Sequence, residues 1–328
     1  IVIYNKMPSG VRHNVSDEIR EQIKAVFKEK KAERNSGELN EKTLQGYISV
    51  IITIVNDILK GVKVEYTPLS LSQIDIVKLI KERLENMPVN RRRPFYTTLF
   101  AYTNNPLYKE LMIGDNVSYS KEMNNQLKSK TQEENWVEMK VIKEKLKEYK
   151  LIFENLYKSK PDKNFTNCEL HKMEKYVLLM LVSGVHIPVR RSMDFIQFKI
   201  SGEIDKENDN YLDVNVMKFN SFKTAIRNGK RMKTTEIILL PPSVKQTLNK
   251  WISINPSNWL LFDKNNNQRK SVHITQILNS IFQKKVSTSM LRHIRTSEMY
   301  GGLLDNIVDE FKDMGSSYHM ATTYIKKT

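Results

Sequence analysis

The chain is poor in the residues and segments on which several classes of protein depend. Among its 328 residues there is one cysteine, Cys168, so no internal disulfide can form, and this suits a reducing compartment. No apolar run approaches the roughly 20 residues of a membrane-spanning helix, and no signal peptide is visible. We therefore predict an intracellular protein, in the cytoplasm or nucleus of a host cell, that does not enter a membrane.

Common catalytic and metal-binding motifs are missing as well. The sequence has no H-E-x-x-H, no paired C-x-x-C, no G-x-x-x-x-G-K-[ST] and no G-x-G-x-x-G. Its 6 histidines are scattered, and Cys168 has no evident metal partners. The acidic residues show no pattern that distinguishes a two-metal site from solvated surface. We predict that the protein uses neither a metal ion nor a cofactor.

What the chain has in excess is positive charge. Its 53 Lys and Arg residues outnumber 37 Asp and Glu residues, which gives a formal net charge of +16. Hydrophobic residues make up 40% and charged residues 27%, as in a globular rather than a disordered protein. A surplus of this size predicts a polyanionic partner, because cations that neutralise phosphates release condensed counterions. We expect nucleic acid, although positive charge can also serve solubility alone.

Helical periodicity dominates the first part of the chain. Four segments place apolar residues at helical spacing between short polar turns: 17–35, 39–61, 70–87 and the residues after Asn90. This pattern predicts a small helical bundle over residues 1–115. Residues 116–135 are polar and poor in aliphatic side chains, and we predict that they link the bundle to a second domain, residues 136–328.

The second domain combines helices with a few strands. A long helix opens it, and a T-x-x-E capping box from Thr166 to Glu169 begins the next helix. Residues 210–219 alternate with period two, residues 235–240 form a second β-rich run, and Asn228-Gly229 between them is typical of a hairpin turn. From residue 271 the pattern is helical again. We therefore predict a mainly α protein with a small β-hairpin or sheet, of the α+β class.

Four side chains of the second domain are suited to breaking a phosphodiester without metal or ATP: Arg191, Lys223, Arg292 and Tyr324. Two arginines can hold the phosphate oxygens bidentately as the phosphorus becomes five-coordinate, and they keep their charge at any working pH. A tyrosine can attack and retain the phosphoryl group as an ester. A lysine can protonate the departing sugar oxygen. DNA cleavage and rejoining without metal or ATP requires such a set, and these four residues are selected by a family resemblance.

In this order the four residues resemble the catalytic set of the tyrosine recombinases, also called phage-type integrases. The family's first box has an arginine, an acidic residue three positions later, and apolar residues four and seven positions later. Arg191, Asp194, Phe195 and Phe198 satisfy this box, whereas Arg190 does not fit the register. The resemblance implies that Asp194 is a supporting partner of Arg191. The alternative is an Arg-Arg pair on a solvated helix face.

The family places its catalytic lysine in a β-hairpin after the first arginine, often before a threonine. Phe222-Lys223-Thr224 fits that position, so the resemblance assigns Lys223 as the general acid. Neighbouring lysines of the same hairpin are alternatives, and each can equally be a contact to the phosphate backbone. These neighbours are Lys218, Lys230 and Lys233.

The family's second box reads H-x-L-R-H, and Leu291-Arg292-His293 matches its L-R-H core. Ser289 stands in the position of the first histidine. The resemblance implies that Arg292 is the second catalytic arginine, with Ser289 and His293 as supporting residues. The alternative is an Arg-His pair near a helix end.

The family's third box reads L-G-H, with the tyrosine nucleophile ten residues past the glycine. Here Ser316 follows Gly315 in the histidine position, and Tyr324 lies nine residues past the glycine. We predict Tyr324 as the nucleophile, with Ser316 as a supporting residue and His319 as a replacement for the missing histidine. Two other tyrosines are rival nucleophiles, Tyr300 and Tyr318.

The resemblance further implies a two-domain, C-shaped clamp around double-stranded DNA, in which residues 1–115 form the core-binding domain. Arg91, Arg92 and Arg93 are then candidate contacts to the DNA backbone, although a solvated helix start explains them equally well. Members of the family form a 3′-phosphotyrosyl link, leave a free 5′-hydroxyl and assemble as dimers or tetramers on DNA. The sequences of segments 132–139 and 187–195 look most like those of recombinases from large DNA viruses and mobile elements.

Two other functions are compatible with these residues. A type IB topoisomerase uses the same tyrosine chemistry but relaxes supercoils as a monomer, without paired specific sites. A DNA-binding relative without catalytic activity is suggested by Ser289 and Ser316, which replace two family histidines. Such a relative binds DNA with a steep salt dependence but forms no covalent adduct.

Overall fold

The computed structural model describes residues 15–29, 39, 41–124, 127–222, 225–227, 230–231 and 235–313. The chain divides into two compact units, unit 1 (Ile1–Leu127) and unit 2 (Lys128–Thr328). The described chain is mainly helical with a small four-stranded mixed sheet, so the predicted α+β class is confirmed. Within the described ranges, no helix is both long enough and apolar enough to cross a membrane.

Unit 1 is built from helices. Their bounds are α1 (Asp17–Glu29), α2 (Glu41–Thr53), α3 (Pro68–Leu71), α4 (Ile74–Leu84), α5 (Val89–Thr103) and α6 (Pro106–Asn124). The predicted linker, 116–135, contains the boundary between the units, but helical structure continues through residues 116–124 and resumes at 130–135. Residues 116–124 contain few aliphatic side chains because most of this helical surface is exposed to solvent.

The core of unit 1 is formed by the apolar faces that the helical spacing predicts. Ile23, Ile48, Ile80 and Leu99 are all buried, and each comes from a different helix. The hydroxyl of the buried Tyr102 donates a 2.6 Å hydrogen bond to the carbonyl of Tyr66, which satisfies a polar group inside an apolar core.

The second predicted helix of this unit does not stay α-helical. After α2 the chain makes a π-helical turn, Ile54–Ile58, in which Leu59 N–H donates to the carbonyl of Ile54 at 2.8 Å. Arg83 donates to the carbonyls of Ile58 and, at 3.2 Å, Lys60, and so satisfies backbone acceptors that the end of the turn exposes.

Unit 2 combines helices with short strands. Its helices are α7 (Lys130–Asn135), α8 (Met139–Ser159), α9 (Asn167–Val182), α10 (Ser192–Ile196), α11 (Pro242–Ile252), α12 (Ser271–Phe282) and α13 (Thr288–Asp313). Its strands are β1 (Phe198–Lys199), β2 (Asn210–Asp213), β3 (Val216–Phe219), β4 (Ile226–Arg227), β5 (Lys230–Arg231) and β6 (Glu236–Leu239).

The main sheet has the strand order β1-β2-β3-β6, with β1 parallel to β2 and the other pairs antiparallel. The prediction of one strand over 210–219 is wrong, because the chain turns at Val214-Asn215 and forms two strands. Val214 has φ 53°, a conformation that a β-branched residue seldom adopts, so residue types gave no turn signal. The small hairpin β4–β5 flanks Asn228-Gly229, which lie outside the described residues.

Helix α9 is the centre of the unit 2 core. It begins at the predicted capping box, in which Thr166 and Glu169 exchange hydrogen bonds, and it is buried on nearly all sides after its first turn. Glu174 of this helix is buried, and Arg269 donates to its Oε1 from Nε at 3.0 Å. Phe262 N–H also donates to that oxygen, at 3.1 Å. These donors offset the cost of burying the carboxylate.

Candidate functional site

Arg191 lies where the loop 183–191 meets helix α10. Its backbone, with φ −71° and ψ 148°, is the N-cap of that short helix. The residue is exposed. Within the part of the chain that the structure describes, its side chain forms no hydrogen bond or ion pair. The Arg191 guanidinium is therefore available to a ligand.

Arg190 has the opposite environment. Its side chain is only 12% exposed, and its Nε lies 2.9 Å from Asp194 Oδ2. Its NH1 lies 2.5 Å from Glu236 Oε2, and its guanidinium lies 4.0 Å from the centre of the Phe219 ring. Arg190 is therefore committed within the protein, and the two arginines are not a pair on a solvated helix face.

The partner predicted for Asp194 needs correction. Sequence spacing assigned Asp194 to Arg191, whereas its hydrogen-bonded ion pair is with Arg190. Burial raises the pKa of Asp194, and the charge and hydrogen bond of Arg190 oppose this shift, followed by the charge of Arg191. Asp194 Oδ1 is buried and accepts no hydrogen bond from the described residues. Asp194 therefore acts on the Arg191 side chain through its charge, while its backbone N–H donates a 3.1 Å hydrogen bond to the carbonyl of Arg191.

Asn210 is a further residue that holds the site together, and sequence analysis missed it. Its side-chain N–H groups donate to the carbonyls of Asp194 at 3.0 Å and Ser221 at 2.8 Å. Its Oδ1 accepts from the backbone N–H groups of Asn220 at 2.8 Å and Ser221 at 2.7 Å. Because Asn210 is fully buried, these bonds fix α10 against the segment that leads to Lys223.

The lysine-bearing segment, residues 223–234, is flanked by Asn220 and Thr235, and these two residues are hydrogen-bonded to each other. Thr235 donates from its hydroxyl to Asn220 Oδ1 at 2.6 Å, and the next residue, Glu236, binds Arg190. Lys223 itself lies outside the described residues, as does Lys233. The alternative Lys218 is paired with Asp213, with Nζ 2.5 Å from Oδ2.

Arg292 projects from the first turns of α13. The hydroxyl of Ser287 accepts a 3.2 Å hydrogen bond from Met290 N–H, in the manner of a helix cap. Leu291 and Ile294 are buried in the core, which fixes the helix and leaves Arg292 half-buried at its flank. Within the described ranges, the Arg292 side chain has no hydrogen bond or ion pair.

The charge of Arg191 acts on Arg292 in the folded chain. Burial lowers the pKa of Arg292, the positive charge of Arg191 lowers it further, and Asp194 acts in the opposite direction. A neighbouring like charge disfavours the charged form of a side chain, so the two guanidiniums repel each other. Ser289, three positions before Arg292 on the same helix, is exposed, and so is His293.

Gly184 sets the distance between the Arg191 loop and α13, and it is another residue that the motifs did not reveal. Its φ is +75°, and a Cβ at this position would lie 2.7 Å from Cγ of Arg295 and 2.6 Å from Cγ2 of Val189. The loop backbone therefore packs directly against the stem of an α13 residue, one turn beyond Arg292.

The remaining predicted residues of the catalytic set are not placed. Ser316, His319 and Tyr324 lie outside the described residues, as does the rival Tyr318. The rival Tyr300 is described; it lies on α13 and is 50% exposed. Their roles remain predictions from sequence order.

In unit 1 the three predicted DNA contacts have different surroundings. Arg92 is held by Asp115, with Nε 2.9 Å from both carboxylate oxygens, and that hydrogen bond raises the pKa of Arg92. Arg93 donates to Asn116 Oδ1 at 2.8 Å and lies over the Tyr119 ring. Arg91 is exposed, and no described residue binds its side chain. All three remain candidate DNA contacts; Arg92 is paired with Asp115 within the unit, whereas no described residue binds the side chain of Arg91.

The arrangement in unit 2 can bind an oxyanion. Arg191 and Arg292 have no hydrogen bond or ion pair among the described residues, and a guanidinium can donate bidentately to phosphate oxygens. Among the described residues, no three His, Cys, Asp or Glu side chains are grouped as a metal site. A scan of the sequence against models of known protein families gives no match, and no curated protein matches the chain.

Proposed function

We propose that the protein is a tyrosine-type site-specific DNA recombinase, which cleaves and rejoins double-stranded DNA through a 3′-phosphotyrosyl intermediate. The observation that carries this proposal is the pair Arg191 and Arg292. They come from separate elements, lie near enough for one charge to lower the pKa of the other, and have no acidic partner among the described residues. Two such cations repel each other, so the arrangement is best stabilised by an anion between them.

The proposed chemistry assigns one step to each side chain. Arg191 and Arg292 hold the non-bridging oxygens of the scissile phosphate and stabilise the charge of the five-coordinate transition state. Tyr324 releases its phenolic proton to water as its oxygen attacks phosphorus, the bond to the 5′-oxygen breaks, and Lys223 supplies the proton that the 5′-oxygen takes up. Attack of a 5′-hydroxyl on the phosphotyrosine reverses the step, so no external energy source is required.

Support for the position of Lys223 comes from both ends of its segment. Asn210 and Asn220 hold the chain just before it, and Thr235 and Glu236 hold the chain just after it, next to Arg190. The described chain on both sides of the segment therefore lies beside the residues that hold the Arg191 loop, and the position of Lys223 itself remains a prediction. Lys218, the alternative at the end of β3, is already paired with Asp213.

The proposal extends to partners and location. Units 1 and 2 correspond in order to the core-binding and catalytic domains of the family, and we expect both to contact the same duplex, as the clamp of that family does. Arg91 is the remaining free arginine of the predicted cluster in unit 1. Self-association on DNA and an intracellular location follow from the same proposal.

A DNA-binding protein without catalytic activity is the second candidate. Ser289 is exposed beside Arg292, where the family has a histidine that supports the transition state. A serine donates one hydrogen bond but cannot act as a proton relay near neutral pH. If that histidine is indispensable, the two arginines bind a phosphate without cleaving it.

Trapping the covalent intermediate separates these candidates. The full chain is incubated with a library of randomised duplexes in which a sulfur replaces the bridging 5′-oxygen at one defined position. A released 5′-thiol religates poorly, so a phosphotyrosyl adduct accumulates. We expect an adduct that survives denaturation, maps to Tyr324 and is absent from Tyr324→Phe, with Tyr300→Phe and Tyr318→Phe as matched controls.

The same substrates test the general acid. A thiolate departs without a proton, so Lys223→Ala should cleave the sulfur-containing duplex while losing activity on the ordinary phosphodiester. Salt-dependent binding without any adduct contradicts a recombinase and supports the DNA-binding relative. An adduct accompanied by relaxation of plasmids that carry no paired sites supports a type IB topoisomerase instead.

A further inference from the structure

A third arginine lies on the same helix as Arg292 and packs against the loop that ends at Arg191. Arg295 follows Arg292 by three positions on α13, so the two side chains project from the same face with Cβ atoms about 5–6 Å apart. Arg295 is half-buried. In the described part of the chain, no carboxylate or carbonyl accepts a hydrogen bond from its guanidinium. Neither box of the resemblance predicts an arginine here.

The stem of Arg295 is fixed by the loop that carries Arg191. The ideal Cβ position of Gly184 lies 2.7 Å from Cγ and 3.2 Å from Cβ of Arg295, so the glycine backbone covers this part of the side chain. A packed stem limits the rotamers of an arginine and leaves its charged end to reach solvent or a ligand. Arg295 is therefore held in place by contact with the same loop that ends at Arg191.

Among the described residues, the arginines of this region have little opposing negative charge. Asp194 is the one carboxylate that acts on Arg292 among the causes of its pKa shift, and its hydrogen-bonded partner is Arg190. Three guanidiniums, Arg191, Arg292 and Arg295, thus share two adjoining elements with no ion pair in the described residues. A single phosphodiester carries one negative charge, whereas a nucleic-acid strand offers a regular row of them.

We propose that Arg295 binds the phosphate next to the one held by Arg191 and Arg292, so that α13 follows two successive phosphates of one DNA strand. This inference rests on the proposed function and adds a subsite to it. Cβ atoms three positions apart on a helix lie about 5–6 Å apart, so two long arginine side chains can reach neighbouring phosphates of one strand. Arg295 acts in binding and in setting the register of the strand.

The test measures how binding depends on salt. A fluorescein-labelled 30-base-pair duplex of arbitrary sequence is titrated with the full chain at several sodium chloride concentrations. Each phosphate contact contributes about 0.9 to the slope of log K against log salt. Arg295→Gln should therefore flatten the slope by about 0.9 and weaken binding roughly fivefold at low salt, whereas Arg295→Lys should keep the slope.

A matched control corrects for the loss of one positive charge. Lys158→Gln removes an exposed cation from the last turn of α8 and should leave the slope at the wild-type value.

Weaker binding of Arg295→Gln with an unchanged slope would show that Arg295 acts only on structure and would overturn the inference. Wild-type slope and affinity in Arg295→Gln would also overturn it, but would leave the proposed function standing. Failure of the wild-type chain to bind the duplex would instead remove the proposed function itself.

Discussion

Arg190 forms a buried ion pair with Asp194, with Nε 2.9 Å from Oδ2, while the next residue, Arg191, extends to solvent unpaired by any described side chain. The two adjacent arginines thus have different surroundings, one buried and paired and the other exposed. The ion pair also connects to Glu236 at the start of β6, so it joins the Arg191 loop to the end of the lysine-bearing segment. Arg190 is bound to carboxylates of the protein, whereas no described residue binds the side chain of Arg191.

This difference predicts opposite effects for two neighbouring substitutions. Arg190→Ala leaves the carboxylate of Asp194 buried and unpaired, so it should lower the free energy of unfolding of unit 2 by about 3 kcal/mol. Arg191→Ala removes an exposed side chain and should change that free energy by less than about 0.5 kcal/mol. Urea unfolding followed by tryptophan fluorescence measures both, because all 3 tryptophans, Trp136, Trp251 and Trp259, lie in unit 2.

Arg190→Ala should lose more stability, whereas Arg191→Ala should lose more affinity for DNA. Under conditions in which both are folded, Arg191→Ala should bind a duplex more weakly than Arg190→Ala, because only Arg191 is available to a phosphate. Equal losses of stability in the two variants would contradict the structural role assigned to Arg190.

A second pair of neighbours in unit 1 gives a parallel prediction. Asp115 is 4% exposed and depends on Arg92 for two 2.9 Å hydrogen bonds from Nε. Arg92→Ala should therefore destabilise unit 1 by about 3 kcal/mol, whereas Arg91→Ala should leave its stability within about 0.5 kcal/mol. Thermal unfolding monitored by circular dichroism on the full chain reports both. A larger loss in Arg91→Ala than in Arg92→Ala would refute this assignment.

The sequence predicted helices better than strands, for a physical reason. Helix α9 begins at the capping box of Thr166 and Glu169, a local signal that the structure confirms. The turn between β2 and β3 has no such signal, since Val214 takes a positive φ that its side chain disfavours. Tertiary contacts of the sheet stabilise that turn, and residue types in a short window do not contain this information.

The order of the motifs was enough to choose candidate residues, but it did not predict which residues their side chains bind. Arg191 and Arg292 have no hydrogen bond or ion pair among the described residues and their charges act on each other, while their catalytic roles remain predictions. The partner of Asp194 was wrong, because residues three and four positions away are both within reach and only packing decides between them. Asn210 was missed because an asparagine with four hydrogen bonds in the core looks no different in sequence from one in a loop.

Gly184 should not tolerate a side chain. Its φ of +75° disfavours any other residue, and a Cβ would lie 2.6 Å from Val189 and 2.7 Å from Arg295. Gly184→Ala should therefore lower the stability of unit 2 by roughly 2 kcal/mol and weaken DNA binding by displacing the Arg191 loop. Gly301→Ala is the matched control: nothing lies within 4 Å of a Cβ at this position of α13, so it should be neutral or stabilising by up to about 1 kcal/mol. A Gly184→Ala variant as stable as wild type would show that the loop is not held against α13.

Acid should weaken unit 2 through Glu169. Its Oε2 accepts from Lys160 Nζ at 2.8 Å and from Thr166 N–H at 2.8 Å, and these bonds, with that of the Thr166 hydroxyl, lower its pKa from 4.5 to about 2. A carboxylate with a depressed pKa stabilises the folded state above its unfolded pKa, and this contribution is lost as the pH falls towards the folded value.

Glu169→Gln keeps the shape of the capping box without the charge. The difference in unfolding midpoint between wild type and Glu169→Gln should thus be constant above about pH 5 and should shrink between pH 4.5 and about 2. Because Lys160 is the largest cause of the shift, the Lys160→Gln background should move that loss to higher pH. A difference that stays constant down to pH 2.5 would show that the charge of Glu169 does not stabilise the start of α9.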